Sequence, residues 1–341
     1  MSTNETNSVA PNVLPITSID FFRILEITDD PLALKEHRDW AIRHAGIDKL
    51  GLKGAGQRVG VLDTGCDKHH QDLEGQVVAA NFIAGNKQEP AWRDDCGHGT
   101  FVTGEIVAKE DGKGIVGAAP RATAYHGRVL YGDHRDNRRT AGRTDISNAI
   151  RACVKEGCGV ISMSIGGPGQ NPYIREALAD AVSEGVIPVA AAGNERLEGS
   201  PYASYPASYQ TVISVASADA KDLPAWFSTV GRGGKDWKQP EIAVASLEYY
   251  WGCVPGRKSY GRMIGTSMAT PLVAAVALLW REARQKQADA GGAPFPTGAD
   301  VLAQFRAWLH RVANDTNNNG WDPELGYGVL LLEDGEMPGS E

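Results

Sequence analysis

The chain has 341 residues, with 34 Lys+Arg against 42 Asp+Glu for a formal net charge of −8, and no segment gathers enough positive charge for a nucleic-acid or anionic-membrane footprint. A composition of 42% hydrophobic and 22% charged residues, with 40 Gly and 18 Pro, is that of a turn-rich globular protein and excludes disordered, fibrous and coiled-coil classes. A chain of this length buries roughly three quarters of its unfolded surface, so its core needs no disulfides.

Residues 1–12 are polar, contain no Lys or Arg and lead into no long apolar run, so no secretory signal is expected there and a cytoplasmic location is. Residues 1–35 read as an N-terminal extension, followed by a first helix over Leu34–Arg43. Short apolar runs at Arg58–Leu62, Ala122–Leu130, Val160–Ser164, Val186–Ala191 and Val212–Ala216 read as buried strands. Between them, Asp145–Glu156 carries an apolar stripe stopped by Gly157, and residues 172–184 are bracketed by Asn171, Pro172 and Gly185. This alternation predicts an α/β fold: a doubly wound, mostly parallel sheet with helices on both faces, in three layers. Residues 132–143 read as an arginine-rich surface loop and 334–341 as an acidic tail, leaving 36–333 as the folded domain. The run Met268–Trp280, interrupted by Pro271, is too short for a membrane span and reads as a buried helix.

Cys66, Cys96, Cys153, Cys158 and Cys253 are odd in number and widely spread, which fits reduced thiols. Cys153 and Cys158 are not at zinc-pair spacing, and His69–His70 have no matching ligand cluster. Cys66 and Cys96 lie near Asp63 and His98 in sequence and suggest sensitivity to thiol reagents, although neither is placed as a nucleophile. Gly112, Gly114 and Gly117 spell G-x-G-x-x-G, but after a helix rather than a strand, the reverse of a dinucleotide site. Asp315–Gly320 mimics the start of a calcium loop but has Gly326 where the bidentate Glu belongs, so it reads as a turn.

Open α/β sheets place their sites beyond the carboxyl ends of the strands. Four motifs lie at such ends: Val61-Leu62-Asp63-Thr64-Gly65, Asp95-Cys96-Gly97-His98-Gly99-Thr100, Ala192-Gly193-Asn194-Glu195, and Gly265-Thr266-Ser267-Met268-Ala269-Thr270-Pro271. Singly, each has an ordinary structural reading as a turn or a helix cap.

Together, in the order Asp, His, Ser, they resemble the subtilisin-like serine proteases, the subtilase family, over about residues 36–332. The resemblance implies a serine endopeptidase with Ser267 as nucleophile, His98 as general acid–base, Asp63 orienting His98, and Asn194 as the side-chain donor of an oxyanion hole. It implies that Ser164, Ile165, Gly166 and Gly167 pair with an extended protein or peptide substrate, and that Glu195 sits at the base of the P1 pocket. It further implies a structural Ca²⁺ held by Asp72, the Asp111 side chain and the backbone carbonyls of Lys109, Lys113 and Ile115. Phe101, Leu272 and Gln71 replace residues usual in the family; none removes a catalytic role, but the Phe101 region borders the cleft and bears on fine substrate preference. The short extension and Cys66 after Asp63-Thr64-Gly65 resemble the intracellular branch, in which an N-terminal segment crosses the active site. Val13-Leu14-Pro15-Ile16 is the stretch expected to do so, making the chain a zymogen inhibited by its own extension. A catalytically silent peptide-binding module and a peptide-joining acyl transferase remain as alternatives, and a homo-oligomer is left open.

Overall fold

The computed structural model describes residues 27–28, 37–83, 89–131, 141–142, 144–196, 203–233, 238–247, 250–316 and 320–333. The Val13–Ile16 stretch, most of the 132–143 loop and the acidic tail lie outside them.

Nine strands build the main sheet: β1 (Arg58–Asp63), β2 (Val77–Asn81), β3 (Thr123–Arg128), β4 (Val160–Met163), β5 (Ile187–Ala191), β6 (Ile213–Ala218), β7 (Ile242–Ala245), β8 (Ala313–Asn314) and β9 (Val329–Leu330). Their order is β8-β9-β7-β6-β5-β4-β1-β3-β2, and every pair is parallel except the β8–β9 edge. Among the described residues six α-helices accompany them: α1 (Trp40–His44), α2 (His98–Val107), α3 (Asp145–Lys155), α4 (Pro172–Ser183), α5 (Thr266–Asp289) and α6 (Ala299–Arg311).

The central strands are apolar throughout because both of their faces are covered. Val59 and Val61 join the core on the α2 and α5 side, while Leu62 points the other way into the core on the α3 and α4 side. Every α5 residue from Thr266 to Trp280 is buried, so the predicted apolar helix spans the middle of the molecule beside the sheet. Burying a Leu or Val side chain is worth about 1.5–3 kcal/mol, so this run contributes strongly to the stability of the fold.

The strands that the sequence left unread, β2, β7, β8 and β9, include the sheet edges. β2 is only partly covered and β8 and β9 have two residues each, so these three carry no long apolar run, whereas β7 is a short, fully buried apolar strand that sequence reasoning missed. The expected helix over Leu34–Arg43 is corrected: it begins at Trp40. Asp39 holds an extended backbone (φ −59°, ψ 150°) and caps the helix by accepting from the Ala41 amide at 2.9 Å, while His37–Arg38 pair in parallel with Ile115–Val116. Part of the extension also belongs to the body, since Ile27–Thr28 pair antiparallel with Tyr260–Gly261.

Candidate active site

Strand alternation carries Asp63, at the carboxyl end of β1, onto the same sheet face as Val59 and Val61, toward α2. Its Oδ1 accepts from the Thr64 amide at 2.7 Å and lies 2.7 Å from His98 Nδ1. An ionised carboxylate only accepts, so the His98 proton is on Nδ1 and Nε2 is the basic nitrogen. Burial pushes the Asp63 carboxyl up, but the charge of His98 and its hydrogen bond outweigh burial and hold the group below the usual carboxylate range. Both residues are buried, Asp63 completely.

His98 opens α2, and the helix start is capped from outside. Asp94 Oδ1 accepts from the Gly97 amide at 3.0 Å and the Thr64 hydroxyl at 2.9 Å, and Oδ2 from the Thr100 amide at 2.8 Å and hydroxyl at 2.6 Å. These bonds satisfy amides that a helix start leaves open. Gly99 allows α2 to approach β1, because a Cβ there would lie 2.0 Å from the Gly65 carbonyl oxygen.

Ser267 is the second residue of α5 and is held from two sides. Pro271 has no amide proton to give the carbonyl four residues back, and that carbonyl, of Ser267, accepts instead from the Ser164 hydroxyl at 2.7 Å. The Ser267 hydroxyl lies 3.5 Å from the Ser164 carbonyl. Just upstream, the Thr266 amide and hydroxyl both donate to Asn194 Oδ1, at 3.0 and 2.9 Å. Two donors on one oxygen fix the orientation of the amide, so Nδ2 is the other atom. Nδ2 is buried, has no hydrogen-bond partner among the described residues, and lies 3.2 Å from where a Cβ on Gly265 would stand. A buried donor without a partner costs roughly 1–3 kcal/mol, and such groups persist where function needs them.

The remaining expected residues divide. Glu195 is half-buried and its carboxylate accepts from the Thr229 hydroxyl at 2.8 Å and the Ser204 hydroxyl at 3.4 Å. Ser204 also lies against Gly166, which brings Glu195 and Gly166 into one cluster. Ile165 turns its side chain into the core, leaving only its backbone for a ligand. The Gly167 amide and carbonyl are already paired with Tyr205, at 3.0 and 2.9 Å, so the expected backbone pairing with a substrate narrows to Ser164–Gly166.

Asp72 is buried, and its Oδ2 accepts from the Ile115 amide and the Tyr260 hydroxyl, both at 2.9 Å. Burial raises its carboxyl to about 6, with the nearby Asp111 adding to the rise. Two carboxylates meeting at one loop, with the buried one raised further by the charge of the other although Lys109 acts against that rise, are hard oxygen donors of the kind a divalent cation takes. Lys109 and Lys113 flank Asp111 in that loop, and the Lys109 ammonium is 3.7 Å from Asp111. Tertiary structure also gives His70 company that the sequence did not show: its ring, Asp72 and Cys253 have ligand-type atoms within 4.8 Å of one another. Both His70 nitrogens already serve the backbone, at Ser259 O and the Asp72 amide, so the cluster reads as a packed polar group. The Cys66 thiol is fully buried and pushed well up by burial, which removes it from attack by thiol reagents in the folded state. Asp315 closes its turn on the Gly320 amide at 2.7 Å, as a turn reading requires.

Sequence reasoning missed Asp94, Thr64, Thr266, Thr103 and His126. An aspartate four residues before a helix-opening His, with Thr100 following, was the one local signal for a cap.

A profile described as the subtilase family matches residues 54–328, more than half of the chain. The chain is 36% identical over 270 residues to the major intracellular serine protease of Bacillus subtilis (strain 168), covering 77% of this chain and 78% of that protein. It is 37% identical over 234 residues to an intracellular serine protease of Paenibacillus polymyxa, covering 67% of each. To subtilisin DY of Bacillus licheniformis it is 34% identical over 234 residues, covering 68% of this chain and 79% of that protein.

Proposed function

The chain belongs to the subtilase family and is a serine endopeptidase, and we propose that it works through Asp63, His98 and Ser267 with Asn194 completing an oxyanion hole. The observation that carries this reading is the pair of preset groups: Asp63 fixing the His98 tautomer at 2.7 Å, and Asn194 Nδ2 left as a buried donor beside the start of α5. Ser267 Oγ attacks the scissile carbonyl carbon as His98 Nε2 takes its proton, and the carbonyl π bond opens to an oxyanion. Asn194 Nδ2 and the Ser267 amide donate to that oxygen, and the dipole of α5 adds to them. When the oxyanion collapses, the C–N bond breaks and His98 returns the proton to the leaving amine. Water then repeats the attack on the Ser267 ester and releases the acid. Asp63 stays ionised throughout and stabilises the imidazolium.

Protein or peptide substrates follow from the activity. Pairing of an extended substrate along Ser164–Gly166, and a preference for a basic P1 residue set by Glu195, are the finer reading, supported by the Glu195–Ser204–Gly166 cluster. A Ca²⁺ held by Asp72, Asp111 and the carbonyls of Lys109, Lys113 and Ile115 would tie this loop to the body and supply stability rather than chemistry. We place the enzyme inside the cell, on the names of its relatives and its five free cysteines.

Restraint by the extension rests on geometry as well. Ile27–Thr28 are tied to the strand Tyr260–Met263, which leads directly into α5, and the 12 residues back to Pro15 reach up to roughly 40 Å. Mass spectrometry of wild type beside Ser267→Ala tests both claims: loss of an N-terminal fragment and cleavage of added peptide occur in wild type only. Equal cleavage by Ser267→Ala sinks the triad, and a deletion of residues 1–25 with unchanged specific activity sinks the inhibitory extension.

A further inference from the structure

His126 lies in β3 between Tyr125 and Gly127 and is completely buried, where an imidazole is costly unless it has work. In the β1–β3 register Val61 opposes His126 and Asp63 opposes Arg128, so His126 shares the sheet face of Asp63, directly under α2. A Cβ on Gly99 would come 2.9 Å from the His126 ring, placing the ring against the residue next to His98.

One short chain of hydrogen bonds fixes its tautomer. The Thr103 hydroxyl is 2.6 Å from the Gly99 carbonyl oxygen, which can only accept, so the hydroxyl proton is committed there. His126 Nδ1, 3.0 Å from the same hydroxyl, therefore donates to it. Nε2 keeps its lone pair, buried and without a hydrogen-bond partner among the described residues, as is Asp63 Oδ2.

We propose that His126 is a positioning residue for the Asp63–His98 pair, acting through Thr103 and Gly99 to fix the first turn of α2, on which the His98 ring is carried. The proposal rests on the proposed role of that pair. The charged and titratable groups around it are Asp63 on β1, Asp94 before α2, His98 on α2, Arg128 on its own strand and the Cys66 thiol at Thr103. Burial lowers His126 to about 4, so it is neutral at working pH and does not compete with the His98 imidazolium for the charge of Asp63.

The test compares His126→Leu, of similar size without a donor, with His126→Asn, whose amide places an N–H near the Nδ1 position. Three readouts are taken: kcat and KM on a peptide, the pH–rate profile, and the far-downfield proton resonance of the His98–Asp63 bond. His126→Leu lowers kcat by about 10- to 100-fold, leaves KM within about twofold, moves the acid limb to lower pH and weakens the resonance. His126→Asn restores all of these. Wild-type kcat and resonance in His126→Leu overturn the proposal, as does equal impairment of the two variants. If His126→Leu does not fold, Thr103→Val cuts the chain at the hydroxyl and is judged the same way. Wild type and variants are compared without residues 1–25, so that an inactive wild type would refute the proposed function instead, while the resonance, which needs no turnover, still decides the role of His126.

Discussion

The two helices that open at the site are capped differently. At α2 a carboxylate does it: Asp94 takes the Gly97 and Thr100 amides on its two oxygens. At α5 the cap is a neutral amide, Asn194 Oδ1 on the Thr266 amide and hydroxyl, and its Nδ2 is kept free. In the proposed mechanism the first end carries His98, which becomes cationic during turnover, and a fixed anion there favours it. At the second the same proposal has negative charge develop, so a fixed anion would oppose it and a neutral cap leaves the dipole and one donor available. The lesson is that a helix start can serve as scaffold or as catalyst according to the charge of its cap.

The strongest attack on this contrast is Asn194→Leu, which keeps bulk and removes the donor. Steady-state kinetics should show kcat falling about 10²- to 10³-fold with KM nearly unchanged, the order measured for this donor in subtilisin. Asp94→Asn should act mainly on stability, by about 1–3 kcal/mol in denaturant unfolding, with kcat lowered only about tenfold. Equal kinetic damage from both would erase the distinction.

A third helix start sharpens it. Asp39 caps α1 with the Ala41 amide on Oδ1, and burial outweighs the backbone hydrogen bonds of Ala41 and Trp251 and the charges of Arg43 and Arg262 and raises the carboxyl to about 7. The folded state therefore binds this proton more tightly than the unfolded chain, so the contribution is full below about pH 4 and is lost as pH rises through 7. In the Ser267→Ala background, Asp39→Asn should leave Tm unchanged at pH 4 and raise it at pH 8. An equal effect at both values would show that Asp39 is ionised in the fold. The smallest expected effect is from Ca²⁺: Tm of Ser267→Ala should rise by about 5 °C with Ca²⁺ over chelator, and Asp72→Asn should abolish the rise.

The central strands and α3 to α5 were legible because apolar runs and caps are local signals. The edge strands were not, since β2 is half-covered and the shortest strands are defined only by their partners. Asp63, His98, Asn194 and Ser267 were legible as motifs at strand and helix ends. Thr266 and His126 were not, because what they do is set by bonds to residues 72 and 23 positions away. The pairing of Gly167 was illegible for the same reason: its partner, Tyr205, comes from another segment.

The central claim is that Ser267 is a nucleophile activated by His98. Labelling with a fluorophosphonate followed by peptide mapping tests it most directly. The account predicts one equivalent bound, on Ser267, at a rate cut steeply by His98→Ala. No labelling of the extension-free enzyme, or labelling that persists in Ser267→Ala, would contradict it.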